Sequence, residues 1–260
     1  MRRVFDTTFD YKTDDPRGAR PDADRDSKTL REDHELLWSK KLPLSEAIFA
    51  PKVTPGKNEY LIFTDATGDR FCYGSDAITS SYTDWVKAKR PRSRALVEAI
   101  AGLNPEQRAR YLDPPYTIGS AMIWPVRRKD YHTVNRVRGR NILIADRMDL
   151  TLECIQLHYA GKAGHPLEKA TTAYKDFFDL FGTFKAFVEF FHFQDLIKPG
   201  SDYQEIEYFL KPNNFERAAT PATTGEYIEY RENVLAFIKK RSIRMANWVM
   251  ENRRDIAVRQ

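Results

Sequence analysis

Residues 173–197 read AYKDFFDLFGTFKAFVEFFHFQDLI, and this stretch constrains the fold more than any other. Phe177, Phe181, Phe184, Val188 and Phe191 recur at offsets of four, three, four and three, the spacing of one helix face. Phe178, Phe187 and Phe190 widen that face. A helix this apolar has to be covered on more than one side, so the spacing predicts one long core helix. The phenylalanines read as core rather than as a box for a cofactor.

The elements around it follow from shorter signals. GEYIEYRENVLAFIKKRSIRMANWVMENRR predicts one long closing helix, with Tyr227, Tyr230, Val234, Phe237 and Ile238 in its apolar stripe. Upstream, YLIF and FCY flank Asp-Ala-Thr-Gly-Asp and predict a hairpin. Ser75 or Asp76 then caps a helix reaching Trp85. RALVEAIAGL predicts a short helix, and Asn104 with Pro105 opens a second one. YTIGSAMIWPV has strand composition, with HTVNRV as its hairpin partner. Asp149 caps a helix over LTLECIQLHYAG that Gly161 ends, and IEYFLKP is a candidate strand. Residues 10–34 are almost wholly polar and predict an extended or loosely tethered arm, with Phe5 and Phe9 able to anchor it. The expected fold class is α+β. Antiparallel strands with short helices come first and helices follow, packed as one unit. The boundaries read as an arm over 1–34 and a domain over 35–260, its strand-rich lobe at 35–145 and its helix-rich lobe at 146–260.

Composition narrows the partners. A net charge of +5, from 42 basic against 37 acidic residues, mildly favours a nucleotide or nucleic acid. Cys72 and Cys154 lie far apart with apolar neighbours, which fits two buried thiols in a reducing compartment. Neither Cys-x-x-Cys nor His-Glu-x-x-His spacing occurs, so no metal site is expected. The opening MRRVFDTTFDYKTDD has no apolar stretch after its arginines, and no run is long enough for a bilayer, so the expectation is a cytoplasmic chain without membrane contact.

Candidate chemistry centres on residues 127–153. On the hairpin reading, Arg127, Arg128 and Lys129 sit at the turn, and Arg136 and Arg138 share one face of the returning strand, followed by Arg140. Two guanidinium groups side by side can grip a phosphate, and Gly139 lets backbone approach a ligand. The alternative is a solvated edge strand whose arginines discourage further pairing. Asp146, Asp149 and Glu153 follow at offsets of three and four, beside Arg147. Acids suit a helix N-terminus in their own right. Glu153 lies between Leu152 and Cys154, where apolar neighbours would raise its pKa for use as a base, unless it forms an ion pair. Ser75, Asp76 and Tyr82 belong to FCYGSDAITSSY, a junction whose hydroxyls and N–H groups could face a ligand. No Gly-x-Ser-x-Gly elbow occurs, and the five histidines are isolated and read as structural.

The blocks LWSKKLP, SDAITSSY, YTIGSAMIWP, NRVRG, ADRMDLTLECIQLHY and FFDLFGTFKAFVEFFHFQDLI resemble the signature of a bacterial family of unknown function, over most of residues 30–250. Arg136-Val137 replaces that family's Gln-Ala, and Ser120 replaces its second glycine after Thr-Ile-Gly. The resemblance implies that Lys40, Ser75, Asp76, Asn135, Arg138, Asp146, Arg147 and Glu153 converge at one cleft between sheet and helices. FCYGSDAITSSY is also similar in arrangement to a block of the ADP-ribosyltransferases, which would imply NAD as cofactor and Glu153 or another acid as the catalytic acid. The resulting expectation is an enzyme acting on a nucleotide or nucleic acid. Arginines would hold phosphate, and Asp146, Glu153 and Asn135 would carry the chemistry. The alternative is a non-enzymatic interaction protein of a toxin or phage-defence module, meeting a protein partner through the polar arm and the basic stretch 87–94.

Overall fold

A computed structural model describes residues 4–14, 22–44, 48–49, 52–53, 61–64, 70–83, 94–126 and 133–252. The fold is α+β. Strands β1 (Lys40–Lys41) and β2 (Ile48–Phe49) form a small antiparallel pair. Strands β3 (Lys52–Val53), β4 (Leu61–Thr64), β5 (Arg70–Ala77) and β6 (Ala121–Val126) form an antiparallel sheet in that order. The expected YLIF–FCY hairpin is β4–β5, with Ile62 opposite Cys72. The longest pairing runs from Cys72 opposite Val126 to Ala77 opposite Ala121.

Ser75 and Asp76 therefore lie in a strand, opposite Ile123 and Met122, and do not cap a helix. The remainder of the expected helix, residues 84–85, lies outside the described residues, as do the basic stretch 87–93 and Arg127, Arg128 and Lys129. The expected partner strand HTVNRV is also corrected. Val134–Arg140 is a helix, α5, after α1 (Ala23–Asp26), α2 (Lys28–Trp38), α3 (Arg94–Ala101) and α4 (Pro105–Tyr111). Thr133 opens it, its Oγ1 accepting from Arg136 N at 3.3 Å. Residues two apart on a helix point roughly 200° apart, so Arg136 and Arg138 cannot share a face. Arg138 is buried and Arg136 half-buried.

The predicted phenylalanine helix is broken. After α6 (Met148–Tyr159) come α7 (Glu168–Ala173), α8 (Lys175–Asp179) and α9 (Phe184–Phe190). Gly182 takes a φ of +69°, which glycine adopts without strain, and Thr183 Oγ1 caps α9 by accepting from Ala186 N at 3.1 Å. The helical spacing survives because the rings still meet across the break: Phe181 lies 4.9 Å from Phe190 and 5.5 Å from Phe187. IEYFLKP makes no strand, only a bridge between Ile206 and Ile197. Asp149 sits inside the first turn of α6, with Arg147 at the cap position, while Gly161 follows the helix end at φ +66° as expected.

The polar stretch 10–34 differs most from its reading as a loose arm. Ser27 Oγ accepts from Leu30 N at 3.0 Å and opens α2, whose Leu30, His34, Leu37 and Trp38 are buried. Tyr11 is buried with its hydroxyl donating to Asp33 Oδ2 at 2.6 Å.

The closing helix α10 (Thr224–Glu251) matches its predicted length and stripe. It is pinned by Arg241, fully buried, whose Nη1 donates to Gly119 O and Ala121 O at 2.8 Å each and whose Nη2 donates to Phe191 O at 3.1 Å. No helix among the described residues is long and apolar enough to cross a membrane.

Gly119 is where α10 presses on the chain entering β6. A Cβ there would stand 2.2 Å from Ser242 Oγ and 2.6 Å from Ile238 O, whereas a Cβ on Gly139 would meet nothing within 4 Å. Gly119→Ala is expected to cost about 1–3 kcal/mol through overpacking, and Gly139→Ala to gain about 0.5 kcal/mol from reduced chain entropy. Opposite shifts of melting temperature for the two variants would verify the packing; parallel shifts would refute it.

Candidate functional site

The site is built where β5 ends. Asp76 is its second-to-last residue, and the chain beyond Ala77 turns away at Ile78. That turn leaves the Ala77 and Ile78 carbonyls unspent by the sheet, and the guanidinium of Arg138, from α5, reaches them. Arg138 Nη2 donates to Ile78 O at 2.5 Å and Nη1 to Ala77 O at 3.4 Å. Its Nε donates to Thr151 Oγ1 of α6 at 2.9 Å, and its plane lies over the Trp124 ring at 5.1 Å. A buried guanidinium still needs countercharge. Asp146 Oδ1 supplies it at 3.3 Å, and Asp76 Oδ2 lies on the other side at 4.0 Å.

Asp146 reaches Arg138 because residues 141–146 fold back on α5. Asp146 N donates to Arg138 O at 3.0 Å, and Ala145 and Asp146 take φ values of +49° and +57°. Left-handed backbone at a non-glycine residue costs of order 1 kcal/mol and concentrates at functional sites. Tyr82, itself at φ +62°, holds the turn by donating its hydroxyl to Ala145 O at 2.8 Å.

A third carboxylate enters from α1. Asp24 Oδ1 accepts from Ser75 Oγ at 2.8 Å and from the Tyr116 hydroxyl. Behind Ser75 the bonds form a directed row. An indole N–H can only donate. Trp38 Nε1 donates to His34 Nδ1 at 2.9 Å, so His34 Nε2 carries the proton and donates to Ser75 Oγ at 2.9 Å. Burial, reinforced by Arg241, pushes His34 down to about 3, so its ring is neutral.

The electrostatics of the three acids follow from crowding. Burial pushes Asp76 up to about 7, Asp146 adds to the rise, and Arg138 opposes it. Burial and then Asp76 raise Asp24 to about 7, against the hydrogen bonds from Tyr116 and Ser75. Asp146 rises by burial to about 6, with Arg138 holding it back. Asp76 nevertheless keeps 34% of its side chain exposed and Asp146 keeps 18%, while Arg138 has none. Carboxyls that are crowded yet partly exposed can exchange a proton with solvent near neutral pH. Among the described residues, no group of three or more His, Cys, Asp or Glu side chains could hold a metal ion.

Of the residues expected at one cleft, the structure brings together Ser75, Asp76, Arg138 and Asp146, with Tyr82 supporting the turn. It corrects the rest. Arg147 is spent on the structural pair with Asp149 and on Ala219 O at 3.1 Å. Glu153 is half-buried on α6, raised by burial and hydrogen-bonded to Tyr208 rather than to any cluster arginine. Asn135 lies one turn before Arg138 on α5, its Oδ1 enclosed without a hydrogen-bond partner, and among the described residues no hydrogen bond joins it to the aspartates. Arg136 is on another side of α5, and Lys40 lies beside Phe190 and His192. Ser75 lies within β5 and not at a helix start. Asp24, Tyr116 and His34 were missed. Ser27 as a cap three residues before Leu30, with Leu30, Leu37 and Trp38 at helical spacing, was the available signal for α2 and the residues it carries.

Fold and site together define an α+β chain with a cluster of acids organised by one buried arginine. The family of unknown function designated DUF6994 matches residues 5–245, and the chain belongs to that family. No curated protein and no solved structure matches it.

Because Asp76 holds its proton more tightly folded than unfolded, the stability it contributes is present below about pH 4. It is lost as pH rises toward about 7. Asp76→Asn, which mimics the protonated form, is expected to be more stable than the parent at pH 8. Discounted for solvent screening, the gain is at least ~1 kcal/mol, or ~2–4 °C. At pH 4 the gain should vanish. Melting curves at the two pH values test this, and an equal effect at both would show that Asp76 is not crowded.

Proposed function

We propose that this chain is an enzyme of general acid–base chemistry, acting at a glycosidic bond of a nucleoside-type substrate, with Asp76 as proton donor and Asp146 as base. The supporting observation is the unequal placing of these two carboxyls around Arg138, at 4.0 Å and 3.3 Å. Burial raises both, but Arg138 holds the nearer Asp146 back most strongly, while the charge of Asp146 pushes Asp76 further up. Environments that push two carboxyls apart in this way separate an acid from a base.

In the proposed step the Asp76 proton passes to the leaving atom as the glycosidic bond breaks. The incoming hydroxyl, of water or an acceptor, gives its proton to Asp146 as it bonds to the sugar carbon. Positive charge developing on the sugar suits a cluster that includes Asp24 and feels the charge of Asp22. The same acids disfavour a phosphate there, and the guanidinium of Arg138 is already committed to protein acceptors. The phosphate-gripping role expected of Arg136 and Arg138 is therefore withdrawn, and the sugar end of the substrate belongs at the aspartates. Trp124 Nε1, in the ring under Arg138, and Asn135 Oδ1 remain a donor and an acceptor without partners.

The test is base release from NAD, nucleosides and nucleotides by the full chain, alongside thermal-shift measurements on the same panel. Turnover is expected to be maximal between pH 6 and 7, the range set by the two carboxyls. Asp76→Asn and Asp146→Asn should each lower kcat by roughly 10²–10⁴-fold with the fold retained. Absence of turnover and of any thermal shift across the panel would overturn the reading, as would an Asp76→Asn variant of unchanged rate.

A further inference from the structure

Away from the aspartates, a cavity of about 530 Å³ lies between the C-terminal third of α10 and the chain that follows α9. Lys40 reaches it from β1. Its amine donates to Phe190 O at 2.5 Å and lies 3.3 Å from His192 Nε2. Three rings enclose it: Phe190 at 4.4 Å, Trp248 at 4.9 Å and Trp38 at 5.3 Å. Among the described residues no carboxylate pairs with Lys40. Of the three acids on the cavity wall, Asp195 accepts from Arg244 Nη2 at 3.1 Å, Glu189 accepts from the Tyr203 hydroxyl at 2.7 Å, and Glu251 is exposed at the rim.

A lysine kept for structure alone is normally given a carboxylate or run out to water. Lys40 is half-buried, has no carboxylate partner among the described residues, and faces open volume. Burial first, and the charge of Arg241 second, bring its amine down to about 7. His192 beside it is held at φ +58° and is kept neutral by burial and by Lys40 itself. A desolvated amine next to other cations is the arrangement that makes a lysine nucleophilic near neutral pH.

We propose that Lys40 is a second reactive site, whose amine condenses with the carbonyl of a small 2-oxo acid seated in this cavity. The ligand class follows from the walls. Trp248 and the exposed Ile243 offer apolar contact, Lys240 offers positive charge to a carboxylate, and Gln194 Oε1 is enclosed without a donor. The nitrogen lone pair adds to the carbonyl carbon, and an N–H proton passes to the oxygen. Loss of water then leaves a carbon–nitrogen double bond. The protons are exchanged with solvent through the open side of the cavity, His192 Nε2 at 3.3 Å orients the amine, and no oxidant or reductant is consumed.

The experiment is reductive trapping on the full chain with phenylpyruvate, or pyruvate, and cyanoborohydride at pH 7.5, followed by peptide mapping. Lys40 is expected to be labelled about tenfold faster than the exposed Lys162 and Lys239, as a desolvated amine should be. Trp248→Ala should erase that preference by opening the cage to water. Labelling spread evenly over surface lysines, or absent at Lys40, would overturn the proposal, and neither result bears on the aspartate cluster.

Discussion

A guanidinium cannot give up its charge inside a protein, so a chain that buries one must gather acceptors around it. Arg138 draws on β5 and its exit, on α6 and on the returning turn. The Ala77 and Ile78 carbonyls and the Thr151 hydroxyl accept its hydrogen bonds, and Asp146 and Asp76 supply countercharge. The left-handed pair Ala145–Asp146, held by Asp146 N on Arg138 O and by the Tyr82 hydroxyl on Ala145 O, brings the Asp146 carboxylate to that cation. The three acids near it are too many for a single positive charge, and the surplus keeps protons at neutral pH.

Much of the fold was legible where local and tertiary signals agreed. Asn104 with Pro105, the YLIF–FCY hairpin and the stripe of α10 all formed as read, because capping, alternation and helical spacing each point to one structure. The errors fell where a local signal was read without its competitor. HTVNRV alternates over only a few residues, and the cap at Thr133 outweighed that alternation. The phenylalanine spacing named the right core residues but not the break, since a glycine and a threonine cap at 182–183 preserve the contacts while ending the helix.

The site was half legible. Ser75, Asp76, Arg138 and Asp146 stand near one another in the fold, as the block resemblance implied, but the direction of Arg138 could not be read from spacing. Once 134–140 is a helix rather than a strand, the guanidinium points inward and its role passes from substrate to neighbouring carboxylates. Asp24 was hidden because a polar stretch looks the same whether it is solvated or is folded against a site. Its partners, Ser75 and Tyr116, lie 51 and 92 residues away, beyond any local pattern.

The row of bonds from Trp38 through His34 and Ser75 to Asp24 has a polarity that no rotation can reverse, since the indole at its far end has no lone pair to offer. A proton leaving Asp24 inward would have to be accepted by groups already donating toward it. The interior end of this wire is closed, and traffic at Asp24 is confined to the solvent side of the cluster. An imidazole that elsewhere would serve as a relay acts here as an insulator, keeping the aspartates isolated from the aromatic cage around Lys40, although Trp38 belongs to both.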